Sequence, residues 1–202
     1  MLKIFQSGGI VMWPLLILSI TNLSCIFERF LYWNRVKNID SNQLNKIIEK
    51  YSAKNYSSNK TKINISNIPL EKVLRKTILI CAENKNNIDI ALSISLKALE
   101  VDFNRFNILF STTITVAPLL GLLGTVLGLI NSFAFIKLGT GGINADQVTG
   151  GISEALVSTA AGLIVAIVTL VFLNYFSGIK RKEMQKVYEY AGYFEIMFNN
   201  RN

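Results

Sequence analysis

The chain has 202 residues, half of them apolar, with a formal net charge of +8 and no histidine. The apolar residues are bunched into three long uncharged runs rather than spread at a surface period, which excludes a soluble domain and indicates an integral membrane protein. Without histidine the commonest metal ligand and the commonest general base are missing, which excludes classical triads and HExxH sites, and Cys25 and Cys81 lie far apart with no CxxC spacing, so neither a disulfide framework nor a zinc site is indicated. No enzyme active site, cofactor or metal is expected.

The first run, Gly8 to Phe27, is uncharged and about the ~20 residues that a helix needs to cross ~30 Å of hydrocarbon. A cleaved signal peptide is the rival reading. No small-x-small cleavage site comes after it, and Asn22-Leu23-Ser24-Cys25 has asparagine where a lipoprotein box carries an aliphatic residue, so the run is read as a retained span. Glu28-Arg29-Phe30-Leu31-Tyr32-Trp33 after it reads as an interfacial aromatic and basic anchor.

Residues 28–105 form a polar helical insert. Leu44, Ile47, Ile48 and Tyr51 recur at helical spacing, and residues 52–68 are an Asn/Ser/Lys stretch without periodicity, read as a mobile linker. Pro69 suits a first helical turn, with Val73, Leu74, Thr77, Ile78 and Cys81 on one face and Glu71 four residues before Arg75. After Asn84-Lys85-Asn86-Asn87, a further helix carrying Ile90, Leu92, Ile94, Leu96, Leu99 and Phe103 is expected to run without interruption into the second span.

That span covers 106–136, uncharged and longer than a perpendicular crossing requires. Ala117, Gly121, Gly124, Gly128 and Ser132 share one side, a small-residue stripe that by itself means tight helix packing. Thr125 flanks the stripe, either as a backbone-satisfied threonine or as a pore residue. Pro118 is expected to kink the helix, with the hydroxyls before it satisfying freed carbonyls. A loop, 137–147, leads to the third span, 148–179, which ends at Lys180-Arg181-Lys182 and continues as a C-terminal helix, 180–202.

Within 151–179 the only charge is Glu154. A carboxylate in hydrocarbon costs roughly 2.5–3.5 kcal/mol even on insertion scales, so it faces a bundle interior or an aqueous path and marks a functional site. At about 100° per residue, Glu154, Ala155, Ser158, Thr159, Ala161, Gly162 and Ala166 fall on one small or hydroxylated arc, and Leu156, Leu163, Ile164, Ile167, Val168, Leu170 and Val171 on a bulky, lipid-facing one.

Charge sets the expected topology. Of the 21 Lys and Arg, 19 lie in 28–107 and 180–202, which places the N-terminus outside and the C-terminus in the cytoplasm. The same cations are interspersed with eight carboxylates in 28–107 and accompany no recognition motif, which argues against nucleic-acid binding.

The run Ala117-Pro118-Leu119-Leu120-Gly121-Leu122-Leu123-Gly124-Thr125-Val126-Leu127-Gly128-Leu129-Ile130-Asn131-Ser132-Phe133, with Gly151-Ile152-Ser153-Glu154-Ala155-Leu156-Val157-Ser158-Thr159-Ala160-Ala161-Gly162-Leu163 after it, resembles the paired signature of the MotA/TolQ/ExbB proton-channel family, in its ExbB branch. The resemblance extends to the three-span plan. It implies an all-α membrane protein whose second and third helices extend into the cytoplasm, assembled as a homopentamer in the lipid bilayer of an inner (plasma) membrane, or of an organelle. It further implies a pore holding the single span of an ExbD-like partner that supplies an aspartate, and work delivered to a TonB-like protein. Thr125, Glu154 and Thr159 match the family's polar pore positions. A TolQ-like envelope role and a non-conducting scaffold are the alternatives. The insert is the segment least like the family.

The topology predicts that a thiol introduced by Ser58→Cys stays unreactive toward an impermeant reagent in intact cells. Labelling from outside would reverse the orientation.

Overall fold

The computed structural model describes residues 9–37, 41–52, 68–83, 87–138 and 145–199, and among these the regular structure is entirely helical. The helices are α1 (Met12–Lys37), α2 (Ser41–Ser52), α3 (Pro69–Glu83), α4 (Ile88–Phe103), α5 (Asn107–Leu138) and α6 (Ala145–Asn199). Three helical stretches, within Met12–Lys37, Ile88–Ala134 and Thr149–Asn199, are long and apolar enough to cross a membrane. Residues 53–67 of the polar stretch lie outside the described residues, as does most of the 137–147 loop.

The chain divides into two compact units, Met1–Glu28 with Phe106–Tyr175, and Arg29–Arg105 with Phe176–Asn202. The first holds the spans. On α1, Trp13, Ile17, Ile20, Leu23 and Phe27 form an exposed stripe at helical spacing, while Leu15, Asn22 and Ile26 are buried. That is the pattern of a span with lipid on one side and protein on the other. The bulky arc of α6, including Leu156, Ile164, Ile167 and Val171, is likewise exposed, and Ala155, Ser158, Ala166 and Thr169 are buried. A polar pair sits in this interior: Asn22 Nδ2 donates to Thr169 Oγ1 at 2.6 Å, and the Thr169 hydroxyl donates to the Val165 carbonyl at 2.7 Å.

α5 is one helix across Pro118. The hydroxyls of Ser111, Thr113 and Thr115 donate to the carbonyls of Ile108, Leu109 and Ser111. None of these bonds goes to Ile114, whose carbonyl is the one that the missing proline N–H leaves open four residues back.

In the second unit, Leu44, Ile47, Ile48 and Tyr51 of α2 and Leu70, Val73, Leu74 and Thr77 of α3 are buried. Glu71 links the two helices, accepting from Lys50 Nζ and from Tyr51 Oη, each at 3.1 Å. On α4 the inward face is Ile88, Ala91, Leu92, Ser95, Leu96, Leu99 and Phe103. Ile90 and Ile94, expected on that face, are exposed, because a spacing of two keeps to one side on a strand but swings about 200° around a helix.

Three structural facts gather at the end of α4. The expected continuous helix into the second span is broken: α4 stops at Phe103, Asn104 N–H donates to the Glu100 carbonyl at 3.0 Å, and Phe106 takes φ +67°. The left-handed conformation costs a residue with a Cβ roughly 1–2 kcal/mol and cannot propagate the helical ladder. Trp33, expected in the headgroup layer, is instead buried within the unit, its ring edge-to-face with Phe103 at 4.9 Å. The buried Arg29 donates through Nη2 to the Asp102 carbonyl at 3.1 Å, and Lys180 Nζ donates to Asn104 Oδ1 at 2.6 Å, both cations at a helix C-terminus.

Glu195 of α6 is half-buried beside Asp89 of α4, and its carboxyl is raised above the ordinary range by burial first, then by the charge of Asp89 and the hydrogen bond to it. A raised folded-state value means that its stability contribution is fully present below the unfolded pKa, about 4.3, and is lost as pH rises through the folded one. Glu195→Gln is therefore expected to raise the melting temperature at neutral pH, with the difference closing at about pH 4. Thermal unfolding of the purified protein across that range measures it.

Candidate functional site

The candidate site is built on the seam between α5 and α6. Glycines let the two backbones meet. A Cβ at Gly121 would stand 2.9 Å from Thr159 Cα, and one at Gly128 would stand 2.8 Å from Ala155 Cβ, both closer than real Cβ atoms pack. A Cβ at Gly124 would fall on Ser158 Oγ, one at Gly151 on Ser132 Oγ, and one at Gly162 on the Ala117 carbonyl oxygen. These partners fix an antiparallel register in which residue numbers rise on α5 as they fall on α6. Hydroxyls stitch the seam. Thr159 Oγ1 donates to the Gly121 carbonyl at 2.9 Å, and Ser158 Oγ donates to the Ala155 carbonyl at 2.8 Å while standing 3.4 Å from the Gly121 oxygen.

Thr125 and Thr159 are half-buried, and so is Glu154. Thr125 Oγ1 donates to the Leu122 carbonyl of its own helix at 2.6 Å. Each threonine thus gives its proton to a backbone carbonyl and keeps its lone pairs to accept. Among the described residues, Glu154 has no cation within ion-pair distance, and none of the three hydrogen-bonds another.

The register spaces them in depth. From Glu154 to Thr159 is roughly 7.5 Å along α6, with Thr125 opposite the interval between. Around the axis they diverge. At about 100° per residue Glu154 and Thr159 stand roughly 140° apart, and the α5-facing Ser158, Gly162 and Ala155 lie between them. Because antiparallel neighbours present increasing helical angle on the same side, Thr125, about 100° on from Gly124, shares the flank of Thr159. One chain therefore offers a carboxylate on one flank of the seam and two hydroxyls on the other.

The carboxylate flank is where α1 begins. Glu154 Oε1 lies against Gly9, and Val11 Cβ lies 3.7 Å from the Cβ position of Gly124. Helical period gives no reason to single out Gly9, for which the Gly8-Gly9 doublet ahead of a span is the available signal. Nor does it give weight to Asn22, a polar residue in an apolar run whose buried partner is 147 positions away.

A family model described as the MotA/TolQ/ExbB proton channel family matches residues 61–189. An ExbB-like biopolymer transport protein of Synechocystis sp. is 36% identical over 194 residues, covering 96% of this chain and 92% of the relative. An ExbB homologue of Methanothermobacter thermautotrophicus is 27% identical over 192 residues, covering 92% of this chain and 66% of its own. A biopolymer transport protein ExbB of Xanthomonas campestris is 42% identical over 84 residues, covering 41% of this chain and 32% of the relative.

At Gly124 a leucine would have to displace Ser158 from the seam. Overpacking of this kind costs about 1–3 kcal/mol and more where the obstacle is close to backbone. Gly124→Leu is accordingly expected to lower the thermal stability of the purified protein by several degrees. An unchanged melting temperature would show that the seam yields without cost.

Proposed function

This chain belongs to the MotA/TolQ/ExbB proton channel family, and we propose that it is the ExbB-type subunit of a proton-driven motor in the inner (plasma) membrane. In this reading five copies form a ring, N-terminus outside and C-terminus cytoplasmic, around the single span of an ExbD-like partner. That partner carries a membrane aspartate, and the ring drives a TonB-like protein that energises transport across the outer membrane.

The observation that carries the proposal is Glu154, the only charge in 151–179, half-buried on the helix that packs against the glycine stripe of α5. Its cost in hydrocarbon, roughly 2.5–3.5 kcal/mol, demands a return in function. Protonmotive work needs a titratable group reached alternately from two sides, and neutralising the partner's aspartate removes its penalty for moving through an apolar pore. Thr125 and Thr159 line that path as uncharged acceptors that orient water or pass a proton. Since Glu154 and the two hydroxyls stand on opposite flanks of one chain's seam, it is the ring of copies that brings carboxylates and hydroxyls around one path.

Glu154→Ala is expected to abolish uptake driven by the protonmotive force while leaving membrane insertion intact, because removing a membrane charge eases insertion. Thr125→Val and Thr159→Val are each expected to lower it several-fold, Thr159→Val with some loss of stability because it also gives up the bond to Gly121. Uptake is measured beside protein level and co-purification of the partner. Full activity of Glu154→Ala at normal abundance would sink the proposal.

A further inference from the structure

Gly9 stands at the turn that leads into α1, with φ +68°, its carbonyl accepting from Met12 N–H at 3.2 Å. The turn is anchored by its neighbours in the chain, since Val11, Met12 and Leu15 are all buried. Glu154 Oε1 occupies the place where a side chain at position 9 would begin, with its Cδ 3.5 Å and its Cγ 3.9 Å from the same point. Position 9 is therefore closed to a side chain twice over, by a left-handed backbone that L residues rarely adopt and by the carboxylate itself.

We propose that Gly9 is a positioning residue for Glu154: its bare backbone forms the seat on which the membrane carboxylate rests, and any Cβ there unseats it. The inference deepens the reading of Glu154 as the working carboxylate, and it makes the turn before α1 part of the site. A carboxylate on a helix flank otherwise has several rotamers to choose among. The Gly9 backbone limits that choice, because Val11 holds the turn beside Gly124 of the seam.

The test is the rate at which a hydrophobic carbodiimide modifies the carboxyl at position 154, measured by peptide mass spectrometry on the full-length protein in membranes. Gly9→Ala adds both a Cβ and backbone strain, whereas Gly9→Asn adds the Cβ with a residue that tolerates the left-handed region. Both are expected to change the labelling rate several-fold at normal abundance. Ile10→Ala, at an exposed neighbour, is expected to leave it unchanged. In a Glu154→Asp background the carboxyl is withdrawn by one methylene, and adding Gly9→Ala is expected to have little further effect on labelling.

Equal labelling rates in wild type, Gly9→Ala and Gly9→Asn would overturn the seat. So would an effect of Gly9→Ala of the same size with aspartate at 154, which would trace it to backbone strain. The labelling does not depend on transport, so failure here is distinct from failure of the proposed function, which an active Glu154→Ala would signal.

Discussion

Everything in the membrane-spanning unit depends on how closely the backbones of α5 and α6 approach. Lipid tails are as apolar as leucine, so helices in a bilayer gain little from burying hydrocarbon and associate through van der Waals contact and hydrogen bonds. Each contact is small and falls off steeply with distance, so the gain accrues only where the backbones meet. Gly121, Gly124, Gly128, Gly151 and Gly162 provide that approach from both helices, and a Cβ at any of them would overlap an atom of the facing helix even before a longer side chain were extended. The Thr159 bond to the Gly121 carbonyl depends on it, since a threonine reaches a carbonyl on another helix only where no side chain intervenes.

The same unit handles its polar groups in three ways. Thr159 apart, the hydroxyls named so far are satisfied locally: Ser111, Thr113, Thr115, Thr125, Ser132 and Thr169 each donate to a carbonyl three or four residues back. This hides a polar group in hydrocarbon without recruiting a partner helix. Asn22 is different, because a carboxamide has more donors and acceptors than its own turn can use. One end meets Thr169, and its Oδ1 is buried without a partner among the described residues. Glu154 goes further still, a carboxylate that rests on a glycine backbone with no cation among the described residues in ion-pair reach.

The second unit is organised by charge at a helix end. The C-terminal carbonyls of α4 carry partial negative charge, and Arg29 and Lys180 converge on this end from α1 and α6. Lys180 also stands 3.8 Å from Glu100. Trp33 and Phe103 close the cluster with an aromatic edge-to-face contact, a geometry that favours the quadrupoles of both rings. Capturing these groups explains why Arg29 and Trp33, which suit a membrane interface by residue type, are inside the protein.

Sequence by itself determined what depends on neighbours along the chain. The three spans come from the length of uncharged runs, the buried faces of α2 and most of α3 from helical period, and the membership in a proton-channel family from two contiguous motifs around Gly121–Gly128 and Glu154–Thr159. Tertiary structure decided what depends on pairs remote in sequence. That Gly124 meets Ser158, that Asn22 meets Thr169 and that Glu154 rests on Gly9 are facts about segments 34, 147 and 145 positions apart. Periodicity assigns a residue to a face but not to a partner. For the same reason the arc shared by Glu154 and Thr159 looks like one surface in the sequence, whereas in the fold the α5 seam runs down its middle and leaves the carboxylate on one flank and the hydroxyls on the other. The break at Phe106 is hidden in the sequence because its residues are individually compatible with helix; in the fold it coincides with the end of α4, where Arg29, Trp33 and Lys180 make their contacts.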